Sequence, residues 1–146
     1  MKIEIDQSGK IEDYVNTIVA FRNNEQFSVL LDRKLKNEIL TRYRKKHKDI
    51  IYWLFAICVY YCIRNYLDKI QHIIIDIEYK GKEADIKKYL LRFILKYYPK
   101  FEKDKIRFDV IGKKSRAHRL AYQTFIGKLA PNKVLIKKEI ESLLLK

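Results

Sequence analysis

Residues 2–6 alternate, with Ile3 and Ile5 on one side and Lys2, Glu4 and Asp6 on the other, the period of a half-buried β-strand. Gln7-Ser8-Gly9-Lys10 is turn chemistry, so the pattern predicts a first strand that ends in Asp6. Residues 17–21 are apolar and partly β-branched, residues 22–25 interrupt them, and residues 27–31 resume the strand character. The simplest arrangement is an antiparallel run of three strands.

The stretch from Asp32 to Lys48 holds many of the basic residues and leads directly into an apolar helix over 49–68, with Asp49 where a helix N-terminus favours negative charge. A further strand is predicted over Ile73 to Tyr79, bounded by Lys80-Gly81-Lys82, and its triple isoleucine suggests burial on both faces. Helical spacing of Ile86, Leu90, Phe93, Ile94 and Tyr97 predicts a helix over 84–98, ended by Pro99. A short strand at 106–111 follows. Ser115 then serves as N-cap for a helix from Arg116 to Ile126, and Pro131-Asn132 separates this from an amphipathic helix at 137–145. The order is three strands, then α, β, α, β, α and a tail helix, which defines an α/β class with a mixed central sheet. With no repeat and no long linker, residues 1–146 form one domain whose last ~15 residues are a helical tail.

Charge changes the picture. Lys and Arg number 32 against 18 Asp and Glu, a formal charge of +14 that implies a polyanionic partner. Nucleic acid and an anionic membrane face both satisfy this, but the chain shows no lipid signal or membrane-surface helix, so nucleic acid, DNA or RNA, is the expected partner. The longest apolar run, Ile50 to Ile63, is short of the ~20 residues a membrane span needs. Acidic residues among the first apolar ones argue against a signal peptide. Cys58 and Cys62, at i and i+4 in the apolar run, read as core hydrophobes, which fits a reducing cytoplasm. The many aromatics of the 50–66 helix, Trp53 among them, read as core or as a homodimer interface.

Asp76 and Glu78 on the 73–79 strand point to one face at i, i+2, and two carboxylates on a buried strand are costly unless paired or metal-bound. An ion pair with a neighbouring Lys or Arg is the plainer alternative. The run Arg42-Tyr43-Arg44-Lys45-Lys46-His47-Lys48 suits a phosphate backbone, or else is a solvated face.

Over residues 1–127 this succession of elements resembles the ribonuclease H-like superfamily. The resemblance implies an acid on the first strand, here Asp6 in Ile5-Asp6-Gln7-Ser8-Gly9, although an Asp before Ser-Gly also simply ends a strand. It implies a second acid on the central strand, Glu78 with Asp76 as alternate ligand. A third residue comes from the last helix, where Lys114-Ser115-Arg116-Ala117-His118-Arg119 offers His118; a surface hydrogen bond or phosphate contact is the alternative role.

The first helix has no glutamate between Ile50 and Leu67 and the last has no aspartate, which departs from ribonuclease H itself and points to a RuvC-like pattern or a degenerate site. The expected activity is phosphodiester cleavage with Mg²⁺ or Mn²⁺ held by Asp6, Asp76 and Glu78. Asp6, Glu78 and His118 form the catalytic set, and Arg42, Arg44, Lys45, Lys46, Lys113, Lys114, Arg116 and Arg119 grip phosphates. The alternatives are a non-catalytic DNA- or RNA-binding module on the same fold and a scaffolding subunit of a nucleoprotein complex.

Overall fold

In the computed structural model, which describes residues 1–145, the chain is organised around one mixed six-stranded sheet. The strands are β1 (Lys2–Ser8), β2 (Thr17–Arg22), β3 (Gln26–Leu31), β4 (His72–Asp76), β5 (Ile106–Asp109) and β6 (Lys133–Val134), in the spatial order β5-β4-β1-β2-β3-β6. β1, β2 and β3 form the expected antiparallel run, while β4 lies parallel to β1 and β5 parallel to β4. The helices are α1 (Arg33–Tyr43), α2 (Ile50–Ile63), α3 (Glu83–Tyr97), α4 (Arg116–Phe125) and α5 (Lys137–Leu144).

Two boundaries differ from the sequence reading in ways that matter for the site. β1 does not end at Asp6; it continues to Ser8, and Asp6 pairs with Ala20 inside the sheet. The chain turns at Gly9, whose φ of +82° only glycine adopts freely, so the turn residues Gln7 and Ser8 still contribute ladder pairing. β4 stops at Asp76, not at Tyr79, and Glu78 stands just beyond its end, because the chain leaves the ladder after the Ile77 N–H bonds the Asp109 carbonyl. Asp76 and Glu78 therefore do not share a strand.

Two elements are absent from the sequence reading. Within the basic stretch, α1 is started by the Asp32 carboxylate, which accepts from the N–H groups of Lys34 and Leu35, and it buries Lys36, Ile39, Leu40 and Tyr43. The strand β6 is two residues long and pairs with β3, helped by Asn132, whose Oδ1 accepts from the Ser28 N–H at 2.8 Å. The apolar helix is shorter than 49–68; a 3₁₀ turn at Arg64–Tyr66 follows it.

The sheet has two unlike faces. Ile3, Ile5, Val19, Phe21, Val29, Leu31, Ile73 and Ile75 point to the side that carries α1, α2, α3 and α5, where the main core lies. Residue Ile50 and all of 53–63 are buried there, which bears out the reading of Trp53 and its neighbouring aromatics as core. On the opposite side α4 packs on β1 and β2, with Leu120 and Ala121 against Ile18 and Ala20. Towards the β5 edge this face is open to solvent, with Arg107 and Asp109 exposed. Both cysteines are free and buried, and among the described residues no helix is long and apolar enough to cross a membrane.

Candidate metal centre

Strand alternation decides which side chains meet. Since Ile3 and Ile5 face the main core, Glu4 and Asp6 must face α4, and in β4 the same parity turns Ile74 and Asp76 to that side. Asp6 is 3% exposed, near the point where α4 begins. Glu78, in the segment leaving β4, folds back towards it. Carboxylate oxygens of Asp6, Asp76 and Glu78 lie within 4.8 Å of one another, so the structure gathers the three expected acids although only two of them are on strands.

Backbone donors hold two of the three. Oδ1 of Asp6 accepts from the Gln7 N–H at 2.8 Å, and Oδ1 of Asp76 accepts from the Ile111 N–H at 2.7 Å, which draws the segment after β5 over the site. Glu78 is positioned through its neighbour. The Tyr79 hydroxyl donates to Oε1 of Gln7 and accepts from the Ile11 N–H, while its ring packs edge-on against Tyr52 and Phe55. That buried hydroxyl ties the chain after Glu78 to the end of β1.

His118 comes from α4, whose N-cap is Ser115 as expected from the sequence. Its Nδ1 lies 2.7 Å from Oδ2 of Asp6, but it is not a member of the group of three carboxylates. With a carboxylate partner the imidazole donates through Nδ1. Ser115 Oγ donates to Oε1 of Glu4 at 3.0 Å, a second tie between the start of α4 and β1.

The electrostatics are unbalanced. Burial, then hydrogen bonding to Asp76 and Asp6 and repulsion from their charges, pushes Glu78 up to about 9. Burial also raises Asp6, against the lowering effects of Glu78, the Gln7 N–H and His118. No Lys or Arg among the described residues forms an ion pair with any of the three acids, and the one charged-type partner is His118. In a chain of net charge +14 the simple ion-pair arrangement is thus not the one adopted. A crowded set of hard oxygen donors lacking a Lys or Arg partner has the chemistry to hold a hard divalent cation.

The predicted basic residues divide between the two layers. Lys113, Lys114, Arg116 and Arg119 are exposed at the start of α4, beside His118. Arg42, Arg44, Lys45 and Lys46 are exposed at the end of α1, where Arg42 pairs with Glu141 of α5, Tyr43 hydrogen-bonds the same carboxylate, and His47 packs on Trp53. Those neighbours belong to the main-core side, so the 42–48 run is not brought to the acids. Sequence reasoning missed Asp109, which pairs in register with Asp76 but turns Oδ1 to the Val110 N–H. The alternation Ile106-Arg107-Phe108-Asp109 was its available signal. It also missed Tyr79, which as a lone aromatic carries no sequence mark of its role.

No protein-family model matches this sequence, and comparison with curated proteins and with solved structures likewise gave no match.

Proposed function

We propose that this protein is a divalent-metal-dependent nuclease of ribonuclease H-like, RuvC-type build that cleaves phosphodiester bonds of DNA or RNA. The observation that carries the reading is the convergence of Asp6, Asp76 and Glu78 within 4.8 Å, without a Lys or Arg partner, in a strongly basic chain. The order of elements from β1 to α4, with α1 added, supports the same superfamily.

Asp6, Asp76 and Glu78 would hold Mg²⁺ or Mn²⁺. When bound, such ions supply Lewis acidity and an activated water to the phosphodiester. The chain's own residues do the positioning: the Gln7 and Ile111 N–H groups fix two carboxylates, Tyr79 fixes the backbone next to the third, and His118 orients Asp6. Lys113, Lys114, Arg116 and Arg119, at the start of α4, supply positive charge where an anionic substrate would approach. Two free, buried thiols suit a reducing compartment, and the cytoplasm is the one proposed.

The test is incubation of purified protein with Mn²⁺ and with Mg²⁺ on duplex, branched and single-stranded DNA and RNA. Cleavage by the wild type, lost in Asp6→Asn and in Glu78→Gln, is the expected result. Absence of cleavage across the panel, or equal cleavage by the variants, would overturn it.

A further inference from the structure

The α4 side of the sheet is polarised along its strands. Asp6, Asp76 and Asp109 form an acidic row at one end, as the pairings Asp76↔Asp109 and Ile5↔Ile75 require. One step back, Glu4, Ile74 and Arg107 lie side by side, and one step further Lys2 pairs with His72. Successive rows on one face are about 7 Å apart, the scale on which a phosphodiester chain repeats its charge.

Two depressions occupy the basic end. One, of about 300 Å³, is lined by Lys2, His72, Ile74, Asp104, Lys105 and Arg107 over β4 and β5, and none of its lining residues comes from a helix of the α4 layer. The other, of about 250 Å³, is lined by Lys2, Glu4, Arg22, Asn23 and Arg116, and Lys2 borders both. Of the two acids present, Glu4 already accepts from Ser115. None of Lys2, Arg22, Lys105, Arg107 and Arg116 forms an ion pair among the described residues. Five unpaired cations from four separate segments, Lys2 on β1, Arg22 on β2, Lys105 and Arg107 at β5 and Arg116 on α4, thus converge on one strip.

We propose that this strip binds one strand of a nucleic acid by its phosphates and lays it along β1 and β4 towards the acidic row. Guanidinium groups at Arg22, Arg107 and Arg116 suit bidentate phosphate contact. A single strand is the occupant the shape favours, because only β4 and β5 are open between α4 and the sheet edge. The proposal rests on the nuclease reading for its direction, but its binding site is separate from the carboxylates.

Fluorescence anisotropy of a labelled dT or rU oligonucleotide of about twenty nucleotides, in EDTA, tests it. Arg22→Gln with Arg107→Gln is expected to weaken binding roughly tenfold or more at low salt and to lower the salt slope by about 1.4, two single-strand charges. Lys45→Gln with Lys46→Gln removes equal charge from the other side of the sheet and is expected to cost less than about threefold. Circular dichroism of both variants checks folding. Equal losses in the two double variants, undiminished affinity in the first, or no wild-type binding to either oligonucleotide would overturn the strip. Binding in EDTA without metal-dependent cleavage would sink the nuclease reading and leave the strip standing; cleavage without strand binding would do the reverse.

Discussion

Nδ1 of His118 and Oδ2 of Asp6 are 2.7 Å apart, joining the α4 helix to the middle of the sheet across 112 residues of chain. The histidine side chain is 36% exposed while the aspartate is 3% exposed, so the pair spans the boundary between solvent and the buried carboxylates. This geometry makes His118 an orienting partner of Asp6. His118→Ala is expected to slow cleavage or weaken metal binding by about 10–100-fold. Asp6→Asn is expected to abolish both. Equal effects of the two substitutions, measured as initial cleavage rate and Mn²⁺ titration, would show that His118 does more than orient.

Divalent metal is expected to stabilise the fold through the three acids. At a free Mn²⁺ concentration about 100 times Kd the gain is about 2.7 kcal/mol, which for a chain of this length raises Tm by roughly 5–10 °C. Glu78→Gln should lose most of that rise. In EDTA at neutral pH the same variant should melt no lower than the wild type, because Glu78, pushed up to about 9, is already uncharged there and the Gln amide can donate to Asp76 and Asp6 in its place. Differential scanning calorimetry with and without Mn²⁺ reads both effects, and an unchanged metal response in Glu78→Gln would remove Glu78 from the site.

Much of this arrangement was legible in the sequence because it rests on period. Alternation at Ile3 and Ile5 fixed the facing of Asp6, and the triple isoleucine of β4 announced a strand buried on both faces. The helix α1 was hidden because its apolar positions, Leu35, Ile39, Leu40 and Tyr43, sit among basic residues and share their buried face with a lysine. Its Asp32 cap was the readable signal. Glu78 reaches the site by a backbone departure after Asp76 that depends on the carbonyl of Asp109, a tertiary contact no local pattern encodes. The basic strip was equally hidden. It is assembled from single residues of distant segments, whereas the conspicuous run at 42–48 folds onto the other layer.

The turn after β1 is expected to be intolerant of a side chain. A Cβ at Gly9 would lie 2.0 Å from the Asn16 carbonyl oxygen and 2.7 Å from the Phe125 ring, in addition to the φ of +82°. Gly81 has a similar φ of +85° but open space around it. Gly81→Ala should therefore cost only the backbone term, about 1 kcal/mol, and Gly9→Ala at least about 3 kcal/mol. Urea midpoints of the two variants compare them directly; similar losses would mean that the Asn16 segment yields.

Tyr79→Phe keeps the ring against Tyr52 and Phe55 but leaves the Ile11 N–H and Gln7 Oε1 without their partner. The expected cost is about 1–3 kcal/mol in urea unfolding. Since Tyr79 follows Glu78 directly, Mn²⁺ affinity should fall by about tenfold or more. Full retention of metal affinity in a destabilised variant would show that the hydroxyl serves only the fold.

Lys36 supplies a pH test of the scaffold behind the site. It is 1% exposed, and its Nζ donates to the Lys10 carbonyl and to Thr17 Oγ1, both at 2.9 Å, fastening α1 to the segment after β1. Burial lowers its pKa from the ordinary 10.5, opposed by the neighbouring Cys58, Asp13 and Glu12. A depressed lysine pKa means that the folded state binds fewer protons than the unfolded one as pH rises towards 10.5. The penalty of burying the ammonium is complete at pH below the folded pKa and is relieved between that value and 10.5. Stability of the wild type should consequently gain on that of Lys36→Met as pH rises from 7 to 10 (about three units spanning this window). Other lysines and the tyrosines titrate in both proteins and cancel in the comparison. Urea unfolding of the pair across this range decides the point, and a constant difference would mean that Lys36 keeps its ordinary proton affinity despite its burial.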